Sequence, residues 1–504
     1  MFELFGLGPR HALLLVLTLG AFVGGWTLQK LLRRWGIQPA WVWLGLILWF
    51  AAPHHEVNLQ VWNTWPQQLG LWLLPLPLWG IESRLQARNA RERVQGSAWI
   101  ASGLALQLLI HNITALFSAG LTLVYLALRL RTQGERRDGL ACLLAAATGL
   151  AVTAFQWLPA LLDIELAQLR AMTAEHFDPV AQAVYPQQLF AWDFPRGMSV
   201  PGPDDAVSFS LGPVQILLAF TKALFAWRGP RQPERTSALL FLALGLGLVF
   251  LITPAGAPSF YWIPLLNYVN VPARLLGVIA LLIALAVPIG LRALRFQKKA
   301  ALGWLVSGLA LASLIPAVWE APPLSPELRA AVEPVLEGAA EQQVQLPGMY
   351  STTTVFHEYL PRDARLPVGP RPPQAETPLV LHDFERGCGG VQLSGVQTEG
   401  GRLRLPLLPY PDLVLTPEAI GTLQAAEDHV IFEPSQAGPF EAHITYDHSQ
   451  RYPGLGGFSA LALLIALGIS VRSLYAERDA GHTASTTATA SRTDSEGAPE
   501  GGKG

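Results

Sequence analysis

Between Val271 and Lys299 the chain reads VPARLLGVIALLIALAVPIGLRALRFQKK. From Leu275 to Leu291 no residue carries a charge. A run of that kind suits a helix through the hydrocarbon core of a bilayer, which takes about 20 apolar residues. The two ends differ. Arg292, Arg295, Lys298 and Lys299 crowd one of them, and Arg274 stands alone at the other. Basic residues collect on the cytoplasmic side of membrane helices, so the crowded end predicts a cytoplasmic gap and Arg274 an outer one.

The same reading extends along the whole chain. Apolar segments are expected at about 11–32, 39–52, 67–81, 97–110, 113–130, 139–161, 209–227, 236–253, 273–292, 301–318 and 454–472. Basic clusters fall in every second gap: Lys30/Arg33/Arg34, Arg84/Arg88/Arg91/Arg93, Arg129/Arg131/Arg136/Arg137, Arg228/Arg231/Arg235 and Arg292/Arg295/Lys298/Lys299. The gaps around His54, His111, Asp163–Val207, Pro254–Pro272 and Glu320–Pro453 are therefore outer, and so, counting back, is Met1. Several segments are shorter than a bilayer helix needs, which points to helices shielded by neighbours, re-entrant or broken. Pro75 and Pro77 predict a kink within Leu69–Ile81. The fold class that follows is an all-α membrane protein with about eleven transmembrane helices and an outer β-rich domain inserted before the last of them.

Composition agrees. Charged residues make up only 14% of the chain, and 16 Trp suit aromatic belts at membrane interfaces. A net charge of −2 with no outward basic stripe argues against a nucleic-acid partner. The two cysteines, Cys142 in an apolar span and Cys388 in an outer region, imply neither a disulfide framework nor a thiolate metal site. Ala12–Leu32 ends in Arg33-Arg34, the reverse of the charge order of a cleavable signal peptide.

Four regions follow: a polytopic part over 1–319 with an acidic outer loop at 163–207, an outer domain over 320–453, a last span at 454–475, and a Ser/Thr/Gly/Ala tail at 476–504 without hydrophobic pattern. In the outer domain, Ser325–Val335 reads as a helix and Pro367–Pro378 as an extended linker. The alternating runs Leu379–Phe384, Val391–Val396, Arg402–Leu408, His429–Phe432 and Glu441–Tyr446 read as strands of a small β-sandwich.

The polar residues carry the functional reading. His111-Asn112 interrupts an apolar run from Trp99 to Leu130, either as a tight turn or as a site facing a cavity. Arg274, the lone outer base at a helix start, suits a bidentate contact to phosphate or carboxylate, or else a structural ion pair. Asp204-Asp205 offers hard oxygen ligands for a divalent cation, though a solvated acidic loop is the commoner explanation. No metal site is assigned. His54-His55-Glu56 has metal-ligand residue types, but adjacent residues rarely converge on one ion. No Walker loop, zincin helix or dinucleotide fingerprint occurs. No charged residue lies in the middle of a predicted span, which argues against an ion-coupled carrier.

Several segments in order resemble one family. They are Leu109-Ile110-His111-Asn112-Ile113-Thr114-Ala115-Leu116, Phe155-Gln156-Trp157-Leu158-Pro159-Ala160-Leu161, Ser208-Phe209-Ser210-Leu211-Gly212-Pro213-Val214-Gln215, and Trp262-Ile263-Pro264-Leu265-Leu266 with Val271-Pro272-Ala273-Arg274. Thr352-Thr353-Thr354 followed by Glu358-Tyr359-Leu360-Pro361 adds to them. Together they resemble the bacterial and archaeal 6-pyruvoyl-tetrahydropterin-synthase-related membrane protein family, which looks like the GT-C class of polytopic glycosyltransferases. The resemblance implies a multi-pass cell-membrane protein with residues 320–453 outside the cytoplasm. It implies transfer of a glycosyl group from a polyprenyl-phosphate sugar at the outer leaflet, with membrane lipids as partners.

On that reading Arg274 holds the donor phosphate, His111 lines the cavity, and Glu358 and Tyr359 present the outer domain to the site. Asp205 joins them as a substrate-binding candidate, and a divalent cation stays open as cofactor. Two departures matter. Trp65-Pro66-Gln67-Gln68 stands where relatives often carry a glutamate, and Ala273 where they carry Trp before the arginine. GT-C enzymes also open with a cytoplasmic N-terminus, one helix and a loop bearing a catalytic aspartate, which the sidedness does not supply here. No catalytic base is therefore named, and enzyme or inactive member stays open. The alternatives are a lipid or glycan transporter or flippase, and a non-enzymatic envelope-assembly protein.

Overall fold

The computed structural model describes residues 9–163 (less 63 and 134–135), 178–191, 201–293 (less 206, 229–232, 264 and 270), 300–312 and, with short breaks, 374–468. Glu358, Tyr359, the helix expected at Ser325–Val335, Cys388 and the tail from 476 lie outside the described residues.

The chain is mostly helical, with one small β region. Prolines set many of the helix starts, because a ring at the first helical position costs no hydrogen bond there and fixes φ. They open α2 (Pro39–Phe50), α3 (Pro53–Glu56), α5 (Pro75–Leu85), α10 (Pro186–Leu189), α11 (Pro213–Arg228) and α12 (Pro233–Ile252). The remaining helices are α1 (Pro9–Arg34), α4 (Trp65–Trp72), α6 (Ala90–Ile110), α7 (Asn112–Gln133), α8 (Arg136–Val152), α9 (Ala154–Leu162), α13 (Leu276–Ala293), α14 (Ala300–Ala312) and α15 (Leu455–Gly468). Gly36, at φ +70°, takes the left-handed turn that ends α1 and starts the chain toward α2. Asn89 caps α6, its side chain accepting the Glu92 N–H at 2.8 Å.

Among the described residues four helices are long and apolar enough to cross a membrane: His11–Arg34, Asn112–Thr132, Glu234–Ile252 and Pro272–Arg292. A fifth arises if α8 and α9, bent by 75° at Thr153, count as one broken span. The other expected segments have physical reasons for being shorter. In α6 the first turn spends its length on Arg91, Glu92 and Arg93. The prolines at 75 and 77 do more than kink a helix: the chain breaks into α4 and α5 there. At 12 residues, α2 buries Trp41, Val42, Leu44, Leu48 and Trp49 against its neighbours, so its surroundings are protein on most sides.

α13 is the axis of the helical part. Within its apolar window 89% of residues are buried, against 28% for α1 and for α12, and α2, α11 and α12 pack around it. α5 and α6 approach closely through glycine: a Cβ on Gly80 would lie 2.7 Å from the Ile100 backbone nitrogen. The last helix is tied to the bend, with Ser459 Oγ accepting the Phe155 N–H at 3.2 Å and the Tyr452 hydroxyl donating to Asp163 at 2.5 Å.

The β region has two four-stranded antiparallel sheets. In chain order the strands are β1 (Gln374–Glu376), β2 (Leu379–Gly387), β3 (Gly390–Gln397), β4 (Arg402–Leu405), β5 (Leu413–Thr416), β6 (Gly421–Ala425), β7 (Val430–Pro434) and β8 (Gly438–Tyr446). One sheet runs β1-β4-β7-β6 and the other β2-β3-β8-β5. Val391, Leu393 and Ile444 of one sheet share a core with Leu403, Leu405 and Phe432 of the other, which is the sandwich pattern expected from the alternation.

Candidate functional site

Three elements bring polar side chains to one end of the helices. The first is α3 with the π-helical turn Val57–Val61 that continues it. Its Pro53 start turns the chain so that His54, His55 and Asn58 all face inward and are buried. The second is α4, whose Gln67 and Gln68 are buried opposite them. The third is the α6–α7 junction at His111.

A hydrogen-bond network joins the first two. Asn58 Nδ2 donates to Gln68 Oε1 at 3.1 Å, and Gln67 Nε2 donates to Asn58 Oδ1 at 3.2 Å. Thr64 Oγ1 donates to the same Asn58 oxygen at 3.1 Å. Gln68 Nε2 sits 2.7 Å from His55 Nδ1. With the amide donating, that ring nitrogen accepts and the His55 proton lies on Nε2. His54 is more exposed chemically although buried sterically: neither ring nitrogen has a hydrogen-bond partner among the described residues. Its ring stands edge-on to Trp62 at 5.8 Å, and His55 edge-on to Trp49 at 4.6 Å. Gln67 Oε1 and both polar atoms of Gln107, one turn before His111, are also unpartnered. Buried polar atoms left this way cost about 1–3 kcal/mol each, and they mark places where water or a ligand is expected.

At the third element both sequence readings of His111 hold in part. His111 is the extended residue between α6 and α7, at φ −160° and ψ 108°. Its Nδ1 accepts the Thr114 N–H at 3.2 Å and lies 2.8 Å from Thr114 Oγ1. The histidine thus caps α7 as an Asn or Ser would, which leaves its proton on Nε2. Arg274 arrives on a 3-10 turn, Pro272–Leu275, that leads straight into α13. Arg274 and His111 are half-buried, whereas His54 and His55 are enclosed.

Electrostatics tie the group together. Burial, then His55, then the Arg274 guanidinium push His54 down to about 3. Burial and then Arg274 push His111 down to about 3. His55 falls to about 4 through burial, with its bonds to Gln68 and the Trp49 backbone pulling the other way. All three imidazoles are therefore neutral near pH 7, and one guanidinium supplies the positive charge that His54 and His111 both feel. Neutral N–H donors around a cation make a lining suited to an anion.

The other sequence candidates lie elsewhere. Asp205 is half-buried and accepts the Val207 N–H at 2.9 Å, a local turn that orders the entry to the Ser208–Gln215 segment. Among the described residues no group of three or more His, Cys, Asp or Glu is arranged to hold a metal ion. The Ser208–Gln215 segment does reach the site: Phe209 packs on Trp62 at 6.1 Å, and Gln215 Nε2 donates to the Ala51 carbonyl at 3.2 Å.

Sequence reasoning passed over a second polar group at the opposite end. Glu82 is fully buried, receives Arg129 on both carboxylate oxygens, and also accepts from the Tyr125 hydroxyl at 2.7 Å and from Gln86 at 2.6 Å. Tyr125 in turn accepts from Trp35 Nε1 at 2.8 Å, and the Arg129 guanidinium lies 4.2 Å from the centroid of the Trp35 ring. Both residues lie toward the C-terminal ends of α5 and α7, away from the middle of a span, yet they pair within the packed helices. Arg292, bonded to the Trp35 carbonyl and 3.5 Å from Glu234, and Arg84, 3.5 Å from Asp138, belong to the same end. No family model, curated protein or solved structure matches the chain.

Proposed function

We propose that this chain is a multi-pass cell-membrane protein of GT-C type, with about eleven spanning segments, that binds a polyprenyl-phosphate sugar at the Arg274 end and transfers its glycosyl group. The observation that carries the reading is the buried imidazole and amide cluster whose His54, Gln67 and Gln107 polar atoms have no partner among the described residues, with Arg274 within electrostatic reach of His54 and His111. A sugar phosphate suits such a lining: its anionic oxygens match a guanidinium and imidazole N–H groups, and its hydroxyls match the amides. The alternating basic gaps put this end outside the cytoplasm, at the leaflet where such donors are presented, and residues 320–453 with it.

Arg274 acts on the phosphate. It neutralises the charge that grows on the leaving group as the sugar departs, the kind of stabilisation that dominates transfer reactions. His111, held in one tautomer by Thr114, is a second donor at the same face. Glu358 and Tyr359 are proposed to bring the outer domain to the acceptor side, and Asp205 to order the loop that covers it.

The experiment is transfer in proteoliposomes containing the full chain, a polyprenyl-phosphate sugar radiolabelled in the sugar, and added alcohol acceptors. The anomeric carbon passes to the acceptor oxygen as its bond to the phosphate oxygen breaks and the acceptor proton leaves to solvent. The expected result is loss of label from the lipid with release of polyprenyl phosphate, abolished in Arg274→Lys. A donor that stays intact and unbound contradicts the reading. The second reading, a transporter or flippase, gains from the buried Glu82–Arg129 pair, since ionisable groups inside membrane helices often mark transport routes. It requires label to cross the bilayer still attached to lipid.

A further inference from the structure

A groove of about 770 Å³ opens between α11, α12 and α13. Its walls are apolar throughout: Leu217 and Phe220 from α11, Phe241 and Leu246 from α12, Ile279 and Ile283 from α13. The one side-chain polar group in the lining is the Thr253 hydroxyl, and it donates to the Phe250 carbonyl of its own helix at 2.7 Å. A peptide or sugar placed there would leave its own polar groups without partners, at several kcal/mol each. The lining admits hydrocarbon.

A small residue leaves room within the groove. Gly245 sits at its floor, and a Cβ there would meet nothing nearer than Leu282 Cβ at 4.0 Å. Leu217, Phe220 and Leu246 are exposed at its rim.

Its outer end joins the polar site by two routes. Leu211 and Pro213 form the lip, where the Leu211 N–H donates to the Leu189 carbonyl at 3.1 Å. Two residues earlier Phe209 packs on Trp62, which touches His54, and Gln215 bonds to Ala51, just ahead of Pro53-His54. Along the axis, α13 also leads from the Arg274 turn to Ile279, five residues on, about 7.5 Å further and roughly 140° around the helix. The one cation of the site is thus placed within two helical turns of an all-hydrocarbon trough.

We infer that this groove seats the hydrocarbon chain of a single-chain lipid phosphate whose head lies at Arg274, with Gly245 keeping the seat open. The inference rests on the reading of the Arg274 end as a phosphate site. It makes α11 and α12 the walls that select chain shape, and the His and Gln cluster the part that selects the head.

The test uses the full chain in nanodiscs of zwitterionic phosphatidylcholine doped with hexadecyl phosphate carrying a mid-chain diazirine. Photolabelling is expected on Phe220, Leu246 and Ile283. Gly245→Phe is expected to lower it by about tenfold or more, the loss of roughly two buried methylenes. Leu246→Trp blocks the same space from a side chain that is 68% exposed, so it leaves folding intact and is expected to lower labelling as well, while Gly245→Ala retains it. A mid-chain diazirine on phosphatidylcholine is expected to label these residues several-fold less. Equal labelling by that neutral lipid, or labelling unchanged in both blocking variants, overturns the inference. Labelling that disappears in Gly245→Phe but survives Arg274→Gln keeps the chain seat and overturns the phosphate reading instead.

Discussion

The two ends of the helical part both bury polar side chains, yet they do so in opposite ways. At the Glu82 end the buried carboxylate is fully engaged: it takes Arg129, Tyr125 and Gln86, and Trp35 closes the group by bonding Tyr125 and lying against the guanidinium. At the Arg274 end both ring nitrogens of His54 and the Gln67 side-chain oxygen are enclosed and have no partner among the described residues. A completed network fixes one arrangement of helices and asks for nothing more. An incomplete one is stable only because the rest of the fold holds it, and it is poised for a polar molecule to arrive. The difference separates a structural clasp from a binding site more sharply than charge or burial alone would.

The clasp gives the largest expected effect. Arg129→Met leaves the Glu82 carboxylate buried without its counter-ion and is expected to destabilise the protein by about 3–5 kcal/mol. Adding Glu82→Gln to it removes the stranded charge and is expected to restore most of that loss. Denaturant unfolding of the purified chain in mild detergent measures both. Equal stability of the single variant and the parent would erase the contrast between the ends.

Next comes the packing that carries the clasp. Gly80→Leu places side-chain atoms where the Ile100 backbone nitrogen and the Gly96 carbonyl already stand, so α5 and α6 must separate. Overpacking of this kind costs about 1–3 kcal/mol. Gly120 has nothing within 4 Å of its Cβ position, and Gly120→Leu is expected to fall within about 0.5 kcal/mol of the parent. Thermal unfolding of the two variants side by side decides the matter.

Acid sharpens the comparison from the other end. The folded values of His54, His55 and His111 lie below the ordinary imidazole value of 6.5, so the unfolded chain binds protons first. Their contribution is complete above about pH 6.5 and is lost as pH falls toward the folded values. From pH 7 to pH 5, His54 alone is expected to withdraw about 2 kcal/mol. His54→Gln should flatten that slope, as read from unfolding midpoints across the range. An unchanged slope would mean that His54 is not enclosed as a neutral ring.

Much of this geometry can be traced to the sequence, though not the contacts themselves. Sidedness grouped His54, His111 and Arg274 into outer gaps, and Arg274 lies within electrostatic reach of both histidines. What it could not supply was that Gln67-Gln68, noted only as a departure from relatives, would complete the cluster, since that depends on α4 breaking from α5 at Pro75. Arg129 was read as a flanking charge because a hydropathy window treats a basic residue at a helix end as solvated. Its pairing with Glu82, 47 positions away, is decided by how α5 and α7 pack. In the β region the runs around Val391 and Glu441 were legible from alternation. Gln374–Glu376 was hidden in a proline-rich stretch, and Leu413–Thr416 lies close behind Pro409 and Pro411.

The most direct test is the affinity of the full chain for dodecyl phosphate, measured in neutral nanodiscs for the parent, Arg274→Lys and Arg274→Ala. Charge-assisted hydrogen bonds of about 1.5–3 kcal/mol correspond to roughly ten- to a hundredfold in Kd. Lysine keeps the charge but loses the planar fork, so both variants are expected to weaken binding by about that factor, with membrane abundance and unfolding midpoint unchanged. Parental affinity in Arg274→Ala at normal abundance would contradict the assignment of this end as the site.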